Sequence, residues 1–205
     1  MPQSEVYQSS KKPVKLVFAS QNQHKTKEIS KILPSSIELL SLKDLNFHED
    51  IPENHDTIEG NALEKAHIIF DKFKMPCFAD DTGLFIEALN GEPGVYSARW
   101  SQLDKTFQNN IEKALFKLQG EENRKAYFKT VVAYKDANEE KLFEGRIDGH
   151  INMAVKGEDG FGYDPIFVPN GYDITFSEMP LEEKNKISHR ALAMKKFISF
   201  LYEKT

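Results

Sequence analysis

The chain has 205 residues, with 27 Lys plus Arg against 32 Asp plus Glu, a net charge of −5, and 40% hydrophobic residues. That is enough chain for one domain with a sizeable core, and the acidic balance disfavours the counterion-releasing mode of nucleic-acid binding. The single cysteine, Cys77, excludes a disulfide framework and a cysteine-based zinc site, and fits a reducing, cytoplasmic setting.

Residues 1–13 are polar and read as a flexible lead rather than a secretory signal, and no later stretch approaches the length of a membrane span. Residues 14–205 then read as a single mixed α/β domain, a twisted sheet with flanking helices and a hairpin lobe. Val14 to Ala19 is a short apolar strand that passes through polar Ser20–His24 into a helix carrying Ile29, Ile32 and Leu33 on one face. A second helix spans about Thr57 to Lys74, with Ala62, Ala66, Ile69, Phe70 and Phe73 at helical spacing and Pro76 closing it. Cys77 to Ala79 reads as a short buried strand. After the loop Asn90–Gly94, a third helix runs from an N-cap at Asp104 to Leu118, with Gly120 as its stop. Ala126, Phe128, Thr130, Val132 and Tyr134 alternate with more polar neighbours, Asp136–Glu140 turns, and Leu142–Val155 returns as the partner strand. A final helix, about Ser188 to Glu203, directs Ala191, Met194, Phe197, Ile198 and Leu201 inward.

Five segments carry chemistry-bearing residues. Ser20-Gln21-Asn22-Gln23-His24-Lys25 stands where a strand meets a helix, a place suited to phosphate, although Ser20 or Asn22 can equally be a simple cap. No Walker or dinucleotide glycine fingerprint is present. In Ala79-Asp80-Asp81-Thr82-Gly83-Leu84, successive side chains of a strand point to opposite faces. Both carboxylates therefore approach one site only if the strand stops there, with Gly83 in a turn. Such a pair suits Mg²⁺, which takes one or two protein carboxylates and fills its remaining positions with water and phosphate oxygens; the alternative is a turn with Asp80 as its cap. Glu53 precedes the cap of the second helix and is free to ligate metal, whereas Lys65 serves phosphate only if its face meets the Asp pair. Gly160-Phe161-Gly162-Tyr163-Asp164 can bring backbone close to a flat ligand while Phe161 or Tyr163 stacks on it. Finally, Lys184, His189 and Arg190 cluster at a helix start, where the dipole does not favour cations.

Taken together and in order, these segments resemble the inosine triphosphate pyrophosphatase family from about Val14 to the last helix. Its S/T-x-N-x-x-K is matched by Ser20, Asn22 and Lys25, and its A-D-D-S-G-L by Ala79 to Leu84 with Thr82 for Ser. G-x-P-G-x-Y-S-A-R is matched from Gly91 to Arg99, G-F-G-Y-D-P-I-F from Gly160 to Phe167, and E-E-K-x-x-I-S-H-R from Glu182 to Arg190. The resemblance implies an elongated α/β sheet forming two lobes around a substrate cleft, a homodimer, and Mg²⁺-dependent hydrolysis of ITP, dITP and XTP to monophosphate and pyrophosphate. By the same resemblance, Ser20 to Lys25 and Lys65 hold phosphates, Asp80 and Asp81 form the catalytic pair with Asp81 as general base, and Glu53 and Asp81 hold the metal. Thr82, Phe161 to Asp164, Lys184, His189 and Arg190 contact the nucleotide. The family's E-T-G-x-T-F-x-E-N-A departs here: Asn54-His55 replaces Thr-Gly, and Gly60 replaces the Glu before Asn61-Ala62, leaving Glu59 as its only neighbouring substitute. Rival readings are a pyrophosphatase for modified pyrimidine or methylated guanosine triphosphates, and a nucleotide-binding module without hydrolysis.

Overall fold

The computed structural model describes residues 13–103 and 105–204, and only the backbone of Gln23, His24, Lys27 and Glu28. Apart from Pro13, the expected N-terminal lead lies outside the described residues, as does the expected cap Asp104. One mixed seven-stranded sheet contains β1 (Val14–Phe18), β2 (Ile37–Ser41), β3 (Cys77–Ile86), β4 (Pro93–Gly94), β5 (Lys125–Lys135), β6 (Glu140–Ile151) and β7 (Phe167–Pro169). Its order is β2-β1-β3-β5-β6-β7, with β4 on β3. β1 runs parallel to β2 and β3, and the remaining pairs are antiparallel. The helices are α1 (Gln23–Ser30), α2 (Ile58–Phe73), α3 (Asn110–Lys117), α4 (Leu181–Ile187) and α5 (His189–Lys204).

The alternation of side chains across the sheet decides what each helix covers. Cys77 and Ala79 of β3, with Val131 and Ala133 of β5, lie in one cluster with Ala62, Ala66 and Ile69 of α2. Phe78, Val132 and Tyr134 face the other way, into Ile29 of α1 and Met194, Phe197 and Leu201 of α5. The Phe78 ring sits 4.7 Å from Phe18 and 4.7 Å from Phe197, contacts worth about 0.5–1.5 kcal/mol each beyond simple burial. Farther along the sheet, Leu84, Ile86 and Phe128 join Ala114, Tyr163, Phe167 and Phe176 in a third cluster.

Several sequence expectations change. β3 does not end at Ala79 but continues for ten residues to Ile86, in unbroken register with β5. Gly83 therefore makes no turn. It permits a close approach, because a Cβ there would lie 2.6 Å from the Gly94 carbonyl oxygen of β4. α3 begins at Asn110, capped by Asn109, whose side chain accepts the Glu112 amide. The residues before it are occupied otherwise: Trp100–Leu103 form a 3₁₀ turn, and the Asn110 side chain holds the Ser97 carbonyl at 2.9 Å. α1 stops at Ser30, which leaves Ile32 in a turn and 50% exposed. β6 spans Glu140–Ile151 rather than Leu142–Val155. β2 and α4 carry no signal in the sequence reading, since β2 lacks clean alternation and α4 is a polar helix that buries no residue. Ser188 separates α4 from α5 and accepts the Ala191 amide at 3.2 Å.

Candidate active site

A cleft of about 520 Å³ opens beside the middle of β3, a size suited to a small-molecule ligand. Its position follows from the sheet. β1 pairs with β3 only as far as Phe78, and β4 joins only at Leu84, so residues 79–83 border a gap between two neighbours. Asp80 and Asp81 point to opposite faces, as continuous strand geometry requires, yet both line the cleft because no strand closes that gap. Open α/β sheets bind ligands at such places.

On the α1 and α5 side, Asp80 Oδ2 accepts from Lys25 Nζ at 2.8 Å and lies 3.6 Å from Arg190 Nε. Burial opposes ionisation of this carboxyl, but Lys25 and Arg190 outweigh it and hold its pKa at about 2. On the α2 side, Lys65 Nζ bridges Glu53 Oε1 at 2.8 Å and Asp81 Oδ1 at 3.1 Å. Here burial prevails. With Glu53 and Asp80 adding negative charge, the Asp81 pKa is pushed up to about 6 despite Lys65. The other oxygen, Asp81 Oδ2, is buried without a hydrogen-bond partner.

The Ser20–Lys25 segment forms a tight turn into α1. Ser20 Oγ accepts the Asn22 amide, Asn22 Oδ1 accepts the Lys25 amide, and Gln21 donates to the Glu49 carbonyl. Capping and cleft lining are therefore combined: Ser20, Gln21 and Lys25 line the cleft, whereas Asn22 caps the helix and is absent from the lining. The side chains of Gln23 and His24 lie outside the described residues. Thr82 also lines the cleft, its hydroxyl 2.7 Å from that of Thr130.

At the opposite end, Phe161 is 62% exposed and stands at the mouth, with the Arg190 guanidinium 5.2 Å from its ring centre. Tyr163 also lines the cleft but does not stand at its mouth. It is buried in the third cluster, where its hydroxyl donates to the Ser97 carbonyl. Asp164 Oδ2 holds the loop together by accepting from the Phe161 amide and from Lys184 Nζ at 2.6 Å. Lys184 thus sits behind Asp164, outside the cleft lining. Gly160 accommodates this packing at φ +89, since a Cβ would lie 2.5 Å from Asp164 Oδ2. The His189 ring stacks on Phe128 at 4.5 Å and 15°. Burial, then the Arg190 and Lys184 charges, hold its pKa well below the ordinary value, so the ring is neutral at pH 7. His189 Nδ1 and Arg190 Nε are buried without hydrogen-bond partners.

Arg99 is the residue that sequence reading left without a role. Its Nη1 meets Glu53 Oε2 at 2.9 Å, so both Glu53 oxygens are engaged by cations. The signal was its place at the end of the Gly91–Arg99 motif. The Gly60 departure also acquires a cause. Position 60 is the third residue of α2, where the backbone amide donates to Thr57 Oγ1, and where a Glu would complete a capping box. His55 fills that space: a Cβ on Gly60 would lie 2.7 Å from the His55 Cβ. The two departures are one exchange of volume. Glu59 does not substitute for the missing Glu, because it pairs with Lys129 at 2.6 Å and is not part of the cleft lining.

No group of three or more His, Cys, Asp or Glu residues has metal-binding geometry among the described residues. What the cleft offers is the unpartnered Asp81 Oδ2 beside Glu53, a hard oxygen set that fits a divalent ion drawing its other ligands from water and phosphate. The lining holds five carboxylates (Asp50, Glu53, Asp80, Asp81, Asp164) against three cations (Lys25, Lys65, Arg190). Arg99 on Glu53 and Lys184 on Asp164 stand just behind the lining and bring the cations to five, so the carboxylates are balanced and a bare polyanion finds no positive excess there. No helix among the described residues is long and apolar enough to cross a membrane.

The chain is similar over most of its length to proteins of named activity. The chain is 50% identical over 188 residues to the dITP/XTP pyrophosphatase of Flavobacterium johnsoniae, covering 92% of this chain and 98% of that protein. It is 43% identical over 189 residues to the dITP/XTP pyrophosphatase of Bacillus subtilis, covering 90% and 96%. Among solved structures, the Ham1 protein of Staphylococcus aureus superimposes with a TM-score of 0.87 at 37% identity, over 93% of this chain and 100% of that one. The nucleoside-triphosphatase, or dITP/XTP pyrophosphatase, of Mycobacterium abscessus gives 0.78 at 41% identity, over 90% and 98%. The model of the Ham1 family matches residues 16–200, and the chain belongs to that family.

Proposed function

We infer that this protein hydrolyses nonstandard purine nucleoside triphosphates, ITP, dITP and XTP, to monophosphate and pyrophosphate, and so clears them from the nucleotide pool. The observation that carries this reading is one cleft in which Asp81 meets Lys65, Asp80 meets Lys25 and Arg190, and the exposed Phe161 ring stands at the mouth. The dITP/XTP pyrophosphatase activity named for relatives supports the same substrate class.

The reaction is in-line attack of water on the α-phosphorus. An O–P bond forms, the bridge to the β-phosphate breaks, pyrophosphate leaves with the bonding pair, and Asp81 accepts the proton of the water. With a pKa of about 6, Asp81 is ionised at neutral pH and basic enough for this task. Asp80 stays ionised throughout and anchors Lys25 and Arg190. Lys25 and Lys65 offset charge developing on the leaving pyrophosphate. Asp81 and Glu53 would hold Mg²⁺, which would supply charge neutralisation at the phosphates; the unpartnered Asp81 Oδ2 beside Glu53 supports that assignment. The family resemblance supports a homodimer in which residues 14–205 act as one two-lobed domain, and the single cysteine, Cys77, fits a cytoplasmic setting.

Base selection falls to Arg190 and neutral His189. A fixed donor pairs with the 6-keto group of hypoxanthine or xanthine and meets another donor in adenine. Leaving such groups unpaired costs about 1–3 kcal/mol each, which is tens- to hundred-fold in discrimination. Pyrophosphate release from ITP, dITP, XTP, GTP and ATP tests this: ITP is expected to exceed ATP in kcat/KM, and Arg190→Ala to narrow that ratio. Equal kcat/KM for ITP and ATP in the wild type would sink the reading.

A further inference from the structure

The carboxylates assigned to the divalent ion are already bridged by a cation. Lys65 Nζ lies 2.8 Å from Glu53 Oε1 and 3.1 Å from Asp81 Oδ1, and the lysine is buried. Arg99 holds the remaining oxygen of Glu53 at 2.9 Å. Of the four oxygens on these two side chains, Asp81 Oδ2 is the one left buried with no partner. An ion shared between Glu53 and Asp81 must therefore compete with the ammonium for the same oxygens, and the two positive charges repel at short range.

We propose that Lys65 is a placeholder cation: it fills the space between Glu53 and Asp81 in the free enzyme and yields it only when nucleotide arrives. The triphosphate supplies the oxygens that the ammonium needs once it leaves the carboxylates. Asp81 Oδ2 is open to a divalent ion accompanying the phosphates, and Glu53 Oε1 would become available to it once Lys65 turns toward phosphate. The partial burial of the pair gives this arrangement a purpose. Without the lysine, two neighbouring half-buried carboxylates would face each other with only Arg99 against them; with a permanently bound ion, the site would hold metal with no substrate to act on. This inference rests on the proposed metal assignment and deepens it.

The test is binding of Mn²⁺ alone, followed through the electron paramagnetic resonance signal of the free ion, with no nucleotide present. Wild type is expected to bind Mn²⁺ weakly, Lys65→Met roughly ten-fold or more tightly, and Lys65→Arg, which keeps the charge, like wild type. Lys65→Gln, which can still donate to both carboxylates, serves where the methionine variant does not fold. A non-hydrolysable ITP analogue should raise Mn²⁺ affinity strongly in wild type and far less in the neutral variants. Equal or weaker Mn²⁺ binding by both neutral variants overturns the proposal. Failure of wild type to release pyrophosphate from ITP overturns the functional reading instead, and leaves the Mn²⁺ comparison legible.

Discussion

Burial lifts the Asp81 carboxyl to a pKa of about 6, and Lys65 cannot cancel this because Glu53 and Asp80 add like charge nearby. Asp80 suffers more complete burial, yet it faces Lys25 and Arg190 and is held at about 2. The first is suited to the proposed role of proton acceptor, at a cost in stability, and the second to anchoring Lys25 and Arg190. The cost has a sign that can be checked. A carboxyl whose folded pKa exceeds its unfolded value of 3.8 destabilises the fold above both values, and the penalty fades as pH falls from about 6 to 3.8. At pH 8, Asp81→Asn should therefore abolish turnover assayed with Mg²⁺ yet, in metal-free protein, gain about 2 kcal/mol of stability, or roughly 5 °C in Tm. By pH 4 the gain should be gone. Calorimetric melts of both proteins at the two pH values decide it; an Asp81→Asn protein less stable than wild type at pH 8 contradicts the assignment. Other residues show the limits of reading motifs alone. Ser20, Lys25 and Arg190 were recognisable by spacing, but the link from Arg99 to Glu53 joins positions 46 apart, and no local pattern reports such a contact.

At the level of elements, the site depends on how closely α5 approaches the sheet. Gly145 of β6 lies directly beneath its first turn: a Cβ there would collide with the His189 carbonyl and lie 2.5 Å from the Ala193 amide nitrogen. Gly145→Ala must push the start of α5 outward, and His189 and Arg190 with it. Overpacking of this kind costs about 1–3 kcal/mol, and displacing positioned groups by an ångström can cost about 10²-fold in rate. The expected result is a lower denaturation midpoint together with a fall in kcat/KM for ITP much larger than that of Ala substitutions elsewhere on β6. A variant that loses stability but keeps full kcat/KM would show that α5 is not positioned by this contact. The elements also explain which parts were legible. α2 has an apolar stripe and a Thr57 cap, so its limits fell within a residue of expectation. Asp80-Asp81-Thr82-Gly83 has the composition of a turn, so local pattern ends β3 at Ala79; its continuation is imposed by ten successive pairings with β5. α4 buries nothing, so hydrophobic periodicity is blind to it.

For the molecule as a whole, a net charge of −5 and a polyanionic substrate are reconciled locally rather than globally. The cleft carries no cationic excess, its five carboxylates being balanced by Lys25, Lys65 and Arg190 with Arg99 and Lys184 behind them, so the proposed divalent ion would add the positive charge that the phosphates lack there. Chelation should accordingly weaken binding of a non-hydrolysable ITP analogue by roughly ten-fold or more, as charge pairing at such separations implies. Titration calorimetry with EDTA and with Mg²⁺ checks this; equal affinity in both would remove the metal from substrate binding. The sequence by itself determined the class of fold, the family and most of the ionisable groups at the site, because apolar periodicity and motif spacing are local properties of the chain. Only the tertiary structure decided that Asp80 and Asp81 serve opposite faces, that Tyr163 belongs to the core, that Lys184 stands behind Asp164, and that Lys65 lies between Glu53 and Asp81. Those outcomes follow from strand pairing, burial and charges brought together from distant positions, and each is a property of the assembled sheet and its helices.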